Sequence, residues 1–483
     1  MSAEHFDSII VGSGAGGAAA AHRLTEGGQR VLLLEKGPAL ARTSDTLDPQ
    51  RVVHDGYYKS KEIWSDARGN SVVPEEYFNV GGKTKWYGAA LLRFARNEMI
   101  SDPLSGYLDW PVGEAALDPY YAAAEQLLGV RTFPCEPTLE RIVRILSTRA
   151  GWTAFPLPMG LSPRIVDTPD EAAHFDGFAS PTGMKSDAEY SLIDRARATG
   201  RLTLLTNEPV VDLLPDNAGR LTIAGVRTAN GAGYRASRVL LAAGALHSPR
   251  LLERYLRAHT LDSLPIAANV GRNLKLHLLT AMVSVSTTTT TDQLRKTTAL
   301  THSAFPHSSV QPLGFDGELI ASLVPKLVPR WIARHLGNHA YGFFLQTEDS
   351  SHRDNRVYTN PAGRPVLDYD PTRSPVALNE HRRFTARLGR ALLGAGYVSF
   401  IQPIGVTGTA HACGTLVAGR DPSTSVVAED GRVHGLSGLY VVDGSVLPRS
   451  SRVNPSLTIY AWSLRVAEQI LGRQGVAAAG AAA

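Results

Sequence analysis

The chain is 483 residues long, with 43% hydrophobic and 19% charged side chains, a composition that fills a core and excludes a mostly disordered chain. Its 49 basic and 45 acidic residues leave a formal net charge of +4; without an arginine-lysine block of five or more, that small excess gives no grip on nucleic acid. Two distant cysteines, Cys135 and Cys413, supply neither a disulfide framework nor a multi-cysteine metal site, so a reducing cytoplasm is the expected home and no metal is expected. The opening MSAEHFDSIIVGSG carries Glu4 where a signal peptide needs basic residues, and no apolar run reaches the ~18–20 residues of a membrane span, so export and membrane insertion are not expected. At roughly 100–200 residues per domain the length allows two to four domains.

Taken in chain order, Phe6 to Val11 is apolar, Gly12 to Gly17 is dense in glycine, Ala18 to Leu24 favours helix and Arg30 to Leu34 is apolar again, which reads as one strand-helix-strand unit. Lys59 to Val80 loosens into a polar excursion suited to wrapping over a cofactor. Asp118-Pro119, a capping residue followed by proline, predicts a helix from about Pro119 that ends near Gly129. Arg201 to Leu214 and Leu221 to Val226 are β-rich; Arg238 to Ala243 has a buried-strand pattern running into Gly244 and a helix over Pro249 to Leu256, a return of the nucleotide-binding fold. Ser284 to Thr301 holds five consecutive threonines and is read as a solvated edge strand or loop, with a lid over the substrate as the sharper alternative. Residues 476–483 lack packing chemistry and are expected to form a flexible tail.

Gly12-Ser13-Gly14-Ala15-Gly16-Gly17 satisfies G-x-G-x-x-G between strand and helix. Gly12 permits the tight turn, Gly14 lets backbone approach a pyrophosphate, Gly17 lets helix and strand pack closely, and the helix opening at Ala15 aims free N–H groups at phosphate. Glu35 closes the second strand, where a carboxylate accepts hydrogen bonds from ribose hydroxyls. A lone glycine motif is weak, but strand, helix and acid all stand in place. It does not separate NAD from FAD, because both offer the same ADP half.

Four blocks resemble the glucose-methanol-choline (GMC) oxidoreductase family: DSIIVGSGAGGAAAAHRL with LLLEKGP, NVGGKTKWYGAALLRF, VLLAAGALHSPRLL with NVGRNLKLHL, and the long closing block that begins TAHACGT and ends AWSLRVAEQI. The resemblance implies an α/β fold in which a Rossmann-type FAD-binding domain, residues 1–95, 190–280 and 405–475, is interrupted by a substrate-binding domain on an antiparallel sheet, residues 96–189 and 281–404, as in p-hydroxybenzoate hydroxylase. It places His411 near flavin N5 with Asn454 as its partner, and sets Gly81, Gly82, Lys83, Thr84, Val210, Ala243, Gly244, Asp443, Gly444, Pro455 and Ser456 against the cofactor. The chain departs from the family at Leu416-Val417-Ala418-Gly419, where members often carry a cysteine-arginine-methionine-glycine run. Members with covalent FAD attach it through a histidine in the glycine-rich block; Lys83 to Tyr87 has none, so noncovalent FAD is expected.

Alcohol oxidation needs removal of a hydroxyl proton and delivery of a hydride. A neutral His411 imidazole suits the first task and an Asn454 carboxamide can hold the alcohol oxygen without adding charge. His247, His277 and His434 have no partner in sequence and read as structural; Lys85, Trp86 and Tyr87 either border the flavin or pack the glycine-rich turn. The expected reaction is oxidation of an alcohol on a sugar, aminoglycoside or related polyol, with oxygen or another molecule taking the electrons. The rivals are a cyanohydrin lyase with non-redox FAD, an oxidase of aromatic, aliphatic or sterol alcohols, an NAD-dependent dehydrogenase using only the N-terminal unit, and a non-enzymatic flavoprotein.

Overall fold

A computed structural model describes residues 5–103, 105–323 and 328–481. Strand β1 (Phe6–Val11) lies between two parallel neighbours, β2 (Val31–Leu34) and the strand Gly233–Leu241, and only Asp7 in it is not fully buried. Burial on both faces explains why FDSIIV and VLLL read as continuous apolar runs. Leu202–Leu205 extends the parallel sheet beyond β2, and Leu439–Val441 joins beside the C-terminal half of Gly233–Leu241. The N-terminal half of that strand turns into an antiparallel meander with Gly219–Thr228 and Val210–Asp216, completing seven strands.

Helix α1 (Ala15–Glu26) is rich in glycine and alanine on its buried face, so it can sit close to both the sheet and the C-terminal helix Ser456–Ala481. Ser463 Oγ donates to the Gly16 carbonyl at 2.6 Å, which pins the two helices together. Residues 447 positions apart are thereby neighbours, and the Arg23–Glu468 ion pair joins two that are 445 apart. The backbone of the last helix continues through Ala481, past the start of the expected tail at 476, and residues 482–483 lie outside the described ones.

The second sheet is antiparallel throughout, in the order Val398–Ile404, Leu278–Val285, Ala340–Thr347, Phe305–Pro312, Thr298–His302, Trp152–Pro156. Helix Pro375–Leu393 covers one face, burying Phe384 and Leu388 against Met282 and Phe343; each such side chain contributes about 1.5–3 kcal/mol by leaving water. A small sheet ties the segments together by pairing Trp64–Asp66 and Ser71–Val72 with Pro365–Asp368 and Arg356–Thr359. The molecule is thus α/β, a Rossmann-type unit joined to an antiparallel sheet.

Two local expectations need correction. The helix expected from Pro119 starts at Glu114, and Pro119 lies inside it. Gly113 caps it and Glu114 supplies a first-turn acid, so the alanine-rich EAALD already has helix-forming character, and the proline only leaves one carbonyl of that turn without its N–H partner. In the threonine run, Thr287, Thr289 and Thr291 are exposed but form no strand, and from Asp292 the chain is mostly buried rather than solvated. Asp292 accepts from the amides of Thr138 and Leu139 at 2.9 and 2.8 Å, and Glu136 accepts from the amides of Gln293, Leu294 and Arg295. These reciprocal bonds tie the segment to the start of helix Pro137–Ser147.

Candidate active site

The carboxyl ends of the parallel strands open onto a cavity of about 1040 Å³, at the upper end of the ~300–1,000 Å³ of ordinary ligand pockets. At one end β1 runs into the glycine turn. Gly12 has φ +100° and a Cβ there would lie 2.5 Å from the Ala242 carbonyl; a Cβ on Gly17 would lie 1.9 Å from the Gly12 carbonyl, so only glycine lets α1 approach β1. At Gly14, the N-cap of α1, a Cβ would meet nothing within 4 Å and no side chain caps the helix. The free N–H groups of that first turn therefore have room for an anion. Gly12, Gly14 and Ala15 line the cavity, whereas Gly17 lies behind it.

Glu35, at the end of β2, lines the same end and accepts from the backbone amides of Ser13 at 3.0 Å and Gly37 at 2.9 Å, and from the Ser13 hydroxyl. Burial raises its pKa and these donors oppose the rise. Gly81 and Gly82 turn with φ of +86° and +54°, and a Cβ on Gly82 would come within 3.3 Å of Gly14 Cα, so the two glycine turns lie back to back. Ser13 Oγ bridges them by accepting from the Gly81 amide at 3.1 Å. Gly82, Lys83 and Thr84 line the cavity and Gly81 does not; Lys83 Nζ is held by Glu76 at 2.6 Å and by the Thr409 carbonyl at 2.7 Å. Lys85 turns away into ion pairs with Asp187 and Glu189 at 3.0 and 2.8 Å and packs the turn, while Trp86 and Tyr87 border the cavity.

Val210, Ala243, Gly244, Asp443 and Gly444 also line it. The Asp443 carboxylate accepts from the amides of Gly244 and Ser445 at 2.8 and 2.9 Å and from the hydroxyls of Ser248 and Ser445. Four donors occupy its oxygens, so this carboxylate clamps the ends of two parallel strands, Gly233–Leu241 and Leu439–Val441. His434 bonds the Gly419 carbonyl at 3.0 Å and stabilises its own loop.

At the other end the sequence-distant His411 and Asn454 come together. Asn454 Nδ2 lies 3.3 Å from His411 Nε2, and Gln311 Nε2 donates to Asn454 Oδ1 at 2.6 Å. All three line the cavity, as do Pro455 and Ser456 at the start of the C-terminal helix. His411 Nδ1 lies 3.0 Å from Nδ1 of His277. Burial, with His277, Lys83 and Lys296 acting in the same sense, holds the His411 pKa well below its usual 6.5, so the ring is neutral at neutral pH. Phe344 meets His411 edge to face, and Lys296 and Asp176, a buried pair at 2.8 Å, line the neighbouring wall with Leu313. His247 also lines the cavity; burial holds its pKa well below 6.5, and its Nε2 has no hydrogen-bond partner among the described residues.

Sequence reasoning missed Asp176, Lys296, Gln311 and Phe344, and read His277 as structural. Gln311 is a fully buried amide on a strand of the antiparallel sheet, and nothing in FPHSSVQP marks it in the sequence. The others sit in unremarkable segments and meet only through long-range packing.

Comparison with known proteins agrees with this picture. The sequence profile of the family described as FAD dependent oxidoreductase matches residues 7–290, and that described as GMC oxidoreductase matches residues 351–463. The chain is 29% identical to the 6'''-hydroxyparomomycin C oxidase of Streptomyces lividus over 96% of its own length and 91% of that protein. It is 28% identical to the paromamine 6'-oxidase of Streptomyces fradiae (97% and 91%), and 25% identical to the 2-methyl-1,2-propanediol dehydrogenase of Mycolicibacterium austroafricanum (98% and 96%). Among solved structures, pyridoxine 4-oxidase from Mesorbium loti superposes with a TM-score of 0.71 at 19% identity, covering 96% of this chain and 99% of that one, which speaks to the fold alone. With one profile spanning more than half of its length and a Rossmann-type sheet beneath it, the chain belongs to the FAD-dependent oxidoreductases, and its closing block carries the GMC oxidoreductase profile.

Proposed function

We propose that this enzyme oxidises a hydroxyl group of an amino sugar, aminoglycoside or related polyol, with noncovalently held FAD, His411 as the proton acceptor and Asn454 as the group that holds the alcohol oxygen. The observation that carries the substrate class is the wall beside His411, where Asp176, Lys296 and Gln311 present buried polar groups between the apolar faces of Phe344 and Leu313. These groups are already bonded to one another and to Asn454, so what they offer a polyhydroxylated amine is their remaining lone pairs and N–H groups, which an apolar alcohol would not use. Glu75 and Glu76 also line the cavity, each paired with a lysine, Lys59 at 2.9 Å and Lys83 at 2.6 Å. The two aminoglycoside oxidases among the relatives support the same reading.

The residues fit the cofactor. An open N-cap at Gly14 with uncapped amides suits a pyrophosphate, and Glu35 sits where a ribose binds. Gly12, Ala15, Val210, Ala243 and Gly244 line this dinucleotide end, with Gly82, Lys83, Thr84, Gly444, Pro455 and Ser456 leading towards His411. On this reading residues 1–95, 190–280 and 405–475 hold the cofactor, and 96–189 and 281–404 supply the substrate face. No histidine lies between Lys83 and Tyr87, which favours noncovalent attachment. When bound, the flavin supplies the hydride acceptor. The chain's own part is to take the hydroxyl proton on His411, to fix the oxygen with Asn454, whose amide is itself held by Gln311, and to keep water off the site with Phe344 and Leu313. Oxygen or another molecule would serve as the final electron acceptor. Free Cys135 and Cys413 favour the cytoplasm as the place of action.

The test is anaerobic reduction of the flavin band by a panel of alcohols: paromamine, 6'''-hydroxyparomomycin C, 2-methyl-1,2-propanediol and cholesterol. The amino sugars are expected to bleach the flavin with the highest kcat/KM, and acid precipitation is expected to release all FAD into solution. Bleaching by the propanediol or the sterol alone contradicts the substrate class, and turnover of a cyanohydrin without bleaching contradicts the reaction.

A further inference from the structure

We infer that His277 is a positioning residue that sets the tautomer of His411, leaving Nε2 of His411 as the lone-pair nitrogen that faces Asn454. The inference rests on the reading of His411 as proton acceptor. His277 Nε2 lies 2.7 Å from the carbonyl oxygen of Ser451, a group that can only accept, so this nitrogen carries a proton. In a neutral ring His277 Nδ1 is then an acceptor, and the atom that faces it at 3.0 Å is Nδ1 of His411, which must donate. A neutral His411 with its proton on Nδ1 has a bare Nε2. The Asn454 amide confirms the direction of the chain: its Nδ2 donor faces His411 Nε2 at 3.3 Å because its Oδ1 is taken by Gln311.

The far end of this relay is anchored. Ser451 donates through Oγ to Glu98 at 2.7 Å and through its amide to Glu348 at 3.2 Å, and Glu348 is gripped by the buried Arg449. Both His277 (φ +64°) and Ser451 (φ +67°) occupy the left-handed region, where non-glycine residues are uncommon and persist only when their surroundings hold them. Both residues of the Ser451–His277 bond thus belong to the seven non-glycine residues with positive φ among the described residues. The groups that bear on the His411 charge are His277, Lys83 and Lys296, all of which disfavour a second proton on the ring.

Two isosteric variants separate the roles of the His277 nitrogens. In His277→Asn the amide oxygen can stand where Nδ1 was and still accept from His411, whereas His277→Gln reaches Ser451 but offers His411 no acceptor at the right place. The holoenzyme labelled with ¹⁵N-histidine, with the His411 signal assigned by its loss in His411→Ala, is expected to show a protonated Nδ1 and a bare Nε2. His277→Gln and His277→Leu are expected to shift His411 towards the Nε2-protonated tautomer and to slow anaerobic flavin reduction by paromamine by roughly 10²-fold with KM within about threefold; fixing an imidazole tautomer is worth up to ~10⁴-fold elsewhere. His277→Asn is expected to stay within about tenfold of wild type. A bare Nδ1 on His411 in the wild type, or His277→Gln as fast as wild type while His411→Ala is slow, overturns this inference and leaves the role of His411 standing. His411→Ala as fast as wild type overturns both.

Discussion

The dinucleotide end of the cavity is built from backbone: the Gly12–Gly14 turn, the open first turn of α1 and the back-to-back glycines at 81 and 82. Around His411 the surfaces include side chains from six separated stretches of sequence, near residues 176, 277, 296, 311, 411 and 454, each held by another side chain. The difference predicts two kinds of failure. A substitution at the first end disturbs packing and cofactor retention together, whereas one at the second changes the reaction or its specificity and leaves a yellow, folded protein.

Gly17→Val gives the largest expected effect on the first kind. Its branched Cβ would stand 1.9 Å from the Gly12 carbonyl, which cannot move without breaking β1, so α1 is forced away from the sheet. Overpacking of this sort costs about 1–3 kcal/mol or more; flavin absorbance on purification and a thermal melt are expected to show a colourless, less stable protein. A stable yellow Gly17→Val would remove the distinction between the two ends.

Asp176→Asn is the milder probe at the second end. It leaves a carboxamide of similar shape beside Lys296 but removes the carboxylate of that buried pair, turning the wall from neutral to cationic against an amino sugar. A charged hydrogen bond is worth about 1.5–3 kcal/mol, so KM for paromamine is expected to rise about tenfold, with kcat changed less than about threefold and FAD retained. A fall in kcat with KM unchanged would move Asp176 from substrate recognition to the reaction itself.

How much of this was legible in sequence follows the same division. The β1-α1-β2 unit could be read because period, glycine spacing and the acid at Glu35 are local signals, and the strand bounds Phe6–Val11 came out as expected. The helix at Glu114 was misplaced because a proline was weighed as a start signal above the alanine-rich run before it. His277 was read as structural because its partner lies 134 positions away, and nothing in LKLHL distinguishes a relay histidine from one bonded to its own loop. Asp292 was hidden beside a threonine run that suggests solvent, although its carboxylate caps a helix more than 150 residues earlier. Local chemistry announces itself; chemistry assembled by packing does not.

The central claim is that a neutral, buried His411 takes the hydroxyl proton. Its most direct test is the rate of anaerobic flavin reduction by a saturating amino-sugar alcohol, compared between the wild type and His411→Ala from pH 5.5 to 8.5. Because burial lowers the His411 pKa, the proton-accepting form is already complete across the neutral range, so the wild-type rate is expected to be level there and to fall only towards acid. His411→Ala is expected to keep its FAD and to reduce it about 10²–10⁴ times more slowly. A His411→Ala protein that is reduced as fast as the wild type would contradict the account.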